Sequence, residues 1–373
     1  MGLFFVSEKY SLTHTGKHTA IGKAREDVEH ILTDCGCGPI DVVQNIPDVE
    51  KGSSAVLKLK RRVFSAGDWK KSLKSLVPGD VVFIQFPVHN HSIAVSKYLA
   101  SLAKGGVRIV LVVHDLESFR IIHNDKESRL RRLELQREEG LMLDACAGII
   151  FHNTRMQERA KDLFGPQVYD KSISLGCFDY LLEGDVARAV EGRSYHSKSD
   201  GVIIAGNLLR YKAGYAYELP DDVPFLLYGP NYVEGDSKPN VTYQGVFAPD
   251  ELPMHLDGSF GLIWDGPTAD TCAGAYGEYL EINNPHKASL YLASGLPVII
   301  WERAALAELV EEQGCGLTVA SLSEIGERLA ALDEGKYREM AANARVLGAK
   351  LRKGWFMTEA VYHTLAKLCP EES

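Results

Sequence analysis

Short apolar runs alternate along the chain with amphipathic stretches of helical length. In the first half the runs are Leu3–Val6, Ile40–Gln44, Val81–Phe86, Val107–Val113 and Gly148–Phe151. Runs such as VVFIQF are apolar at successive positions instead of every second one, as strands of a parallel sheet covered on both faces should be. Helical periodicity fills the gaps, over Thr19–Asp34, Ser92–Lys104, Arg120–Glu139, Leu141–Ala147 and Arg155–Phe164. Two short helices are expected within Glu50–Lys74, and Val168–Leu175 has room for two further strands. Strand and helix in alternation predict a doubly wound parallel α/β sheet.

A polar stretch, Glu183–Ser199, interrupts the pattern with Gly184, Gly192 and a Ser/Lys-rich end, and reads as a linker. The alternation then restarts with strands at Gly201–Ala205, Phe225–Tyr228, Val241–Val246, Phe260 onward, Pro297–Trp301 and Leu317–Val319. Helices are expected over Asp250–His255, His286–Ser294, Ala304–Glu312 and Ser323–Leu332. The simplest architecture is two Rossmann-like halves facing each other over a central cleft, residues 1–182 and 200–354. The last helices, Lys336–Leu351 and Phe356–Leu368, have no strand to cover in the second half, so the segment about 355–369 is expected to pack back on the first.

The segment from Phe260 to Trp301 concentrates the chemistry. It forms a βαβ unit with a long first loop, its helix entered through Asn283-Asn284-Pro285. In such units ligands bind at the carboxyl ends of the strands, where helix N-termini present unpaired N–H groups. Asn284 suits the cap, Pro285 the first helical position, and His286 and Lys287 the first turn. A cation is disfavoured at the positive end of a helix dipole. Lys287 therefore reads either as a partner for an incoming anion or as a solvated surface lysine. Arg210 follows the first strand of this half and Asn231 the second, so both meet His286-Lys287 at one sheet edge. Two cations beside a helix N-terminus neutralise a diphosphate of roughly two to three charges. No Asp-x-Asp stands at a strand end, so the expected site holds its diphosphate by cations and no metal.

In the first half, His114-Asp115 stands at the end of a central strand. That is a place for acid–base chemistry, though Asp115 equally suits a helix cap. The loop Ser7–Lys17 lacks G-x-G-x-x-G and so is not expected to hold a dinucleotide pyrophosphate. It exposes Thr13, His14, Thr15 and Lys17 to a cleft, or is an ordinary surface loop. The long loop Pro267–Asn283 reads as a flap carrying Tyr276 and Tyr279, or as a fixed surface loop.

Composition narrows the classes. The 373 residues are 45% hydrophobic and 24% charged, with a net charge of −9, which is ordinary for a globular chain and argues against a nucleic-acid binder. Seven cysteines, including Cys35-Gly36-Cys37, form no disulfide framework or zinc pattern and fit a reducing cytoplasm. The amino terminus lacks a signal-peptide pattern, and no run approaches the ~20 apolar residues of a spanning helix. The basic run Lys58, Lys60, Arg61 and Arg62 is either a solvated face or a point of peripheral attachment to the membrane's inner face.

GLIWDG, GEYLEINNPHKASLYLASGLPVIIW, GNLLR, YGPN and HDLESFR together resemble the bacterial β-1,6-galactofuranosyltransferases. They equally resemble the glucosyltransferases that extend O-linked N-acetylglucosamine on serine-rich streptococcal adhesins, and NNPHK is the most specific part of the match. The resemblance covers most of the chain and implies a GT-B glycosyltransferase, with a UDP-sugar held mainly by the second domain. It implies Arg210 and Lys287 at the diphosphate, and Asn207, Tyr228, Asn284 and His286 around the donor. Thr15 and Gly16 would close over donor or acceptor. Members generally invert the anomeric centre, which implies one acceptor-side base, Asp115, beside His114. The family often has Lys where this chain has Arg210, which keeps the charge and alters the geometry at the phosphates. The acceptor would be a glycan or glycopeptide. A sugar-nucleotide epimerase or hydrolase, and a non-catalytic glycan-binding partner of a transferase, stay open on sequence alone. Oligomeric state and the transferred hexose, galactofuranose or glucose, are not legible.

Overall fold

The computed structural model describes residues 1–10, 20–44, 65–89, 93–121, 129–233, 235 and 238–369. Thr13, His14, Thr15, Gly16 and Lys17 of the first loop, and the basic run at 58–62, lie outside the described residues. The chain forms two compact units, one of residues 1–17, 28–175 and 358–373, the other of residues 18–27 and 176–357.

The first unit is built on six parallel strands: β1 Leu3–Tyr10, β2 Gly38–Gln44, β3 Val81–Phe86, β4 Arg108–Val113, β5 Gly148–Phe151 and β6 Ser172–Ser174. Their order is β2-β1-β3-β4-β5-β6. Successive strands run away from β1 on both sides, so the direction of winding changes between β1 and β3. The register there pairs Leu3 with Val81 and Phe5 with Phe83. Such a change opens a crevice at the carboxyl ends of the two strands, because the crossover connections leave on opposite faces. β3 is buried along its whole length and β4 almost so; every residue of β3 thus meets helix-covered core on both faces, which accounts for its unbroken apolar sequence.

Helices of this unit include α1 Ala20–Asp34, whose first residues belong to the second unit, then α2 Ile93–Lys104, α3 Glu117–Ile121, α4 Arg129–Ala145 and α5 Thr154–Phe164. The charged and the apolar helices expected over 120–147 are, from 129 onward, the single helix α4. Gly140 within it faces the Phe164 ring, where a Cβ would sit at van der Waals distance. Asn153 caps α5, its side chain accepting from Met156 N at 2.9 Å. One of the two strands expected over 168–175 is instead the helix Pro166–Asp170, started by proline at its first turn.

The second unit has six parallel strands: β7 Val202–Ala205, β8 Phe225–Tyr228, β9 Val241–Gly245, β10 Phe260–Ile263, β11 Val298–Trp301 and β12 Gly316–Val319. Their order, β12-β11-β10-β7-β8-β9, puts the change of winding between β7 and β10. The presumed linker carries the helix Gly184–Glu191. Later helices are α6 Arg210–Ala213, α7 His286–Ala293, α8 Ala307–Glu312, α9 Glu334–Leu351 and α10 Trp355–Leu368. α7 lies so close to β10 that a Cβ on Gly261 would sit 2.1 Å from the Tyr291 ring. The Tyr291 hydroxyl accepts from Ala205 N at 2.7 Å and so ties helix to sheet. α9, expected to have no strand to cover, packs on the helix α7, with Gly348 allowing approach to the Leu292 carbonyl. In α10, Thr364 and Leu368 rest against Gly148 of β5. No described helix is long and apolar enough to cross a membrane.

Candidate functional site

At the change of winding in the second sheet, β10 ends in Trp264-Asp265-Gly266. Lys287, in the first turn of α7, donates to the Trp264 carbonyl at 2.8 Å and to Asp265 Oδ1 at 2.9 Å. Both side chains are largely buried, 14% and 10% exposed, so Lys287 is no solvated surface lysine. Its ammonium is held at the end of the sheet with two of its three donors engaged. Charge at a helix N-terminus of the wrong sign for the dipole is thereby offset by a carboxylate from the loop that follows β10.

The cap differs from expectation. Pro285, in an extended conformation, is the N-cap and supplies no side-chain cap. Asn284 is buried and turned away, donating to Gly176 O at 2.9 Å. Proline directly after it fixes its backbone extended and outside the helix, so its side chain cannot reach the N2 or N3 amide. His286 packs against Phe178 and Tyr180, with ring centroids 5.6 and 5.7 Å apart.

The loop after β7 supplies the polar wall. Asn207 Oδ1 accepts from Leu209 N at 3.3 Å and from Asn231 Nδ2 at 2.9 Å. Asn231 has φ of 72°, a left-handed conformation that asparagine tolerates better than most residues. The two loops meet because Gly229 comes within contact of Gly206; a Cβ on Gly229 would lie 1.9 Å from the Gly206 carbonyl oxygen. Arg210 opens α6 on the exposed side, its guanidinium 3.9 Å from the centroid of Tyr217. Gly266, at φ 120°, donates its N–H to Lys212 O at 2.8 Å and joins the loops after β7 and β10.

Tyr228 closes β8 at this edge, its carbonyl accepting from Gly206 N at 3.0 Å. It is buried, its hydroxyl donating to His255 O at 3.0 Å and accepting from Asp257 N at 3.3 Å, so it serves the framework. Burial pushes its phenol up. Loop 267–283 is hydrogen-bonded to its surroundings: Trp264 Nε1 donates to Thr268 O, Leu322 N to Ala269 O and Ala305 N to Leu280 O. Tyr279 is buried, and Tyr276 packs on Tyr211.

At the carboxyl edge of the first sheet, Asp115 follows β4 and pairs with Arg120 at 2.9 Å. His114 is turned to the buried Gln85, Nε2 to Oε1 at 2.7 Å, and not set to orient Asp115. Behind them Glu139 of α4 is buried and accepts from Ser118 N at 3.2 Å; burial pushes its carboxyl up to about 7. Burial likewise pushes the His152 imidazole down to about 4, so it stands neutral at pH 7, bonded to the backbone at His114 and Val113. Between β1 and β3, Glu8 takes His89 N on both carboxylate oxygens at 3.0 Å and lies 3.2 Å from His89 Nδ1.

Asp265, Glu8 and Glu139 were not singled out from the sequence. Asp265 had a signal, an acid closing an apolar strand one residue before Gly266. Glu8 was hidden because β1 was read as ending at Val6, and Glu139 because α4 reads as a charged solvent helix. Among the described residues no three His, Cys, Asp or Glu side chains gather as a metal site.

Residues 8–162 match the glucosyltransferase 3-like N-terminal domain and residues 202–364 the corresponding C-terminal domain. The chain is 33% identical over 310 residues to the β-1,6-galactofuranosyltransferase WbbI of Escherichia coli K12, covering 83% of this chain and 86% of that one. It is 26% identical over 311 residues to glucosyltransferase 3 of Streptococcus parasanguinis, covering 81% and 86%. In structure it is similar to sucrose-phosphate synthase from Thermosynechococcus elongatus, with TM-score 0.61, 13% identity and 98% and 99% coverage. It is also similar to α,α-trehalose 6-phosphate synthase from Burkholderia multivorans, with TM-score 0.62, 11% identity and full coverage of both.

Proposed function

The chain belongs to the glucosyltransferase 3-like family of GT-B glycosyltransferases, and from that premise we propose that it moves a hexose from a UDP-sugar to a hydroxyl of a glycan or glycopeptide, with inversion and without a metal. The observation that carries the donor assignment is Lys287, largely buried beside the proline-capped N-terminus of α7 at the change of winding in the second sheet. The third N–H of its ammonium, with the backbone N–H groups at the start of α7, would donate to pyrophosphate oxygens. Arg210 adds the second cation from α6, Asn207 the polar wall, and His286 and Asn284 shape the helix entry. As the bond from the anomeric carbon to the β-phosphate breaks, these cations stabilise the charge that collects on the diphosphate. The names of the relatives point to galactofuranose or glucose as the transferred sugar. Free cysteines throughout fit residence in a reducing cytoplasm, where a nucleotide sugar is at hand.

Inversion requires one base at the acceptor hydroxyl. The edge of the first sheet offers two, the Arg120-paired Asp115 and the Glu8-paired His89. The test is UDP release from UDP-glucose and UDP-galactofuranose with glycan acceptors in excess chelator, alongside calorimetric UDP binding. Acceptor-dependent release that survives the chelator is expected. No UDP binding removes the reading, and donor turnover without acceptor replaces it with hydrolysis or epimerisation.

A further inference from the structure

The crevice that the first sheet opens between β1 and β3 holds a pair that the donor site does not use. Glu8 stands near the carboxyl end of β1, and His89 follows β3, the strand hydrogen-bonded beside it. The Glu8 side chain is 8% exposed and that of His89 is 37% exposed. The carboxylate accepts His89 N at 3.0 Å on each oxygen, which fixes the backbone under the ring, and it reaches Nδ1 at 3.2 Å. An ionised carboxylate only accepts hydrogen bonds, so Nδ1 carries the proton and the lone pair lies on Nε2. A buried acid that fixes the tautomer of a more exposed imidazole is the arrangement by which a histidine becomes a general base. Asp115 lies one strand further on, after β4, with Arg120 already at 2.9 Å.

We infer that His89 is the base that takes the acceptor proton, and that Glu8 is the residue that positions it. The inference rests on the transferase reading above. In the step, the acceptor oxygen gives its proton to His89 Nε2 and forms the bond to the anomeric carbon. The bond from that carbon to the β-phosphate oxygen breaks, and its electron pair leaves with UDP. Glu8 stabilises the imidazolium so formed, which then returns the proton to solvent.

The test compares His89→Ala, His89→Gln, Glu8→Gln, Glu8→Asp and Asp115→Asn in the full chain, measuring kcat, donor KM, UDP affinity and melting temperature. His89→Ala and His89→Gln are expected to lose about 100-fold or more in kcat while UDP affinity stays within about twofold, and added imidazole is expected to restore part of the His89→Ala loss. Glu8→Gln is expected to lose roughly 10-fold or more in kcat at unchanged donor KM, with most of it returned in Glu8→Asp, which keeps the charge. Asp115→Asn is expected to retain at least about tenfold more kcat than His89→Ala. The inference is overturned if either His89 variant folds and turns over within a few-fold of the unaltered enzyme, or if Asp115→Asn loses more. Failure of the unaltered enzyme to bind UDP would instead strike the donor assignment and leave a separate signature.

Discussion

Lys287→Met isolates the charge at the donor edge, because Met keeps an apolar stem of similar length and removes only the ammonium. In the folded unit this leaves Asp265, 7% exposed, facing the position of its lost partner. Removing one member of a buried ion pair costs about 3–5 kcal/mol, since the remaining charge keeps its desolvation penalty. Asp265 retains a little solvent contact, so we expect about 3 kcal/mol, or a melting temperature lower by about 6–12 °C in a unit of this size. On the donor assignment proposed above, the variant also loses a charge-assisted hydrogen bond to the diphosphate, which is expected to weaken UDP binding by about 1.5–3 kcal/mol, or about 10- to 150-fold. The two effects separate in Lys287→Met/Asp265→Asn, which leaves no unpaired charge. That double variant should recover most of the melting temperature and none of the UDP affinity, by scanning fluorimetry and calorimetry respectively. A double variant that binds UDP as tightly as the unaltered protein would show Lys287 to be a structural partner of Asp265 alone.

Three further outcomes follow from particular contacts. Burial raises the Glu139 carboxyl from 4.5 to about 7, so the folded chain holds a proton that the unfolded chain releases. That contribution is fully present below pH 4.5 and is lost as pH rises to about 7. Glu139→Gln should therefore gain about 2–3 kcal/mol relative to the unaltered chain between pH 4.5 and 7.5, read as a growing difference in melting temperature; a constant difference would refute the assignment. Gly229→Ala should lower stability by more than about 1 kcal/mol and weaken UDP binding, because a Cβ 1.9 Å from the Gly206 oxygen must displace the loop that carries Asn207. Normal UDP affinity in a folded Gly229→Ala protein would remove that loop from the donor site. Arg210→Lys keeps the charge but loses the planar fork and the stack on Tyr217, so it should cost less UDP affinity than Arg210→Ala, and equal losses would show that geometry outweighs charge.

The fold was legible where local pattern and tertiary demand agree. β3 and β8 fall at the bounds read from their apolar runs, because a strand covered on both faces must be apolar throughout and is bounded by the first polar or turn residue. The disagreements occur where a residue's surroundings override its periodicity. Gly140 reads as a break between two helices, yet α4 runs through it beside the Phe164 ring. The polar stretch after residue 182 reads as linker, yet Gly184–Glu191 forms a helix whose buried Val190 was its main apolar signal. A short amphipathic helix leaves too few periodic positions to separate it from a loop.

The site was legible only one partner at a time. Lys287 stands out in sequence because a cation at a helix N-terminus is locally unfavourable, and such a conflict signals that something distant compensates. What compensates is Asp265, 22 positions earlier and just past the end of β10, a distance at which no periodicity carries information. The same holds at the first sheet, where Glu8 and His89 are 81 positions apart and adjacent only because β1 and β3 pair. His114-Asp115 drew attention by being contiguous, yet contiguous side chains at a strand end point to opposite faces. The structure accordingly sends His114 to Gln85 and Asp115 to Arg120. Pairs that work together at a sheet edge come from neighbouring strands, so the strand order, which single-chain patterning leaves open, decides which acid meets which base.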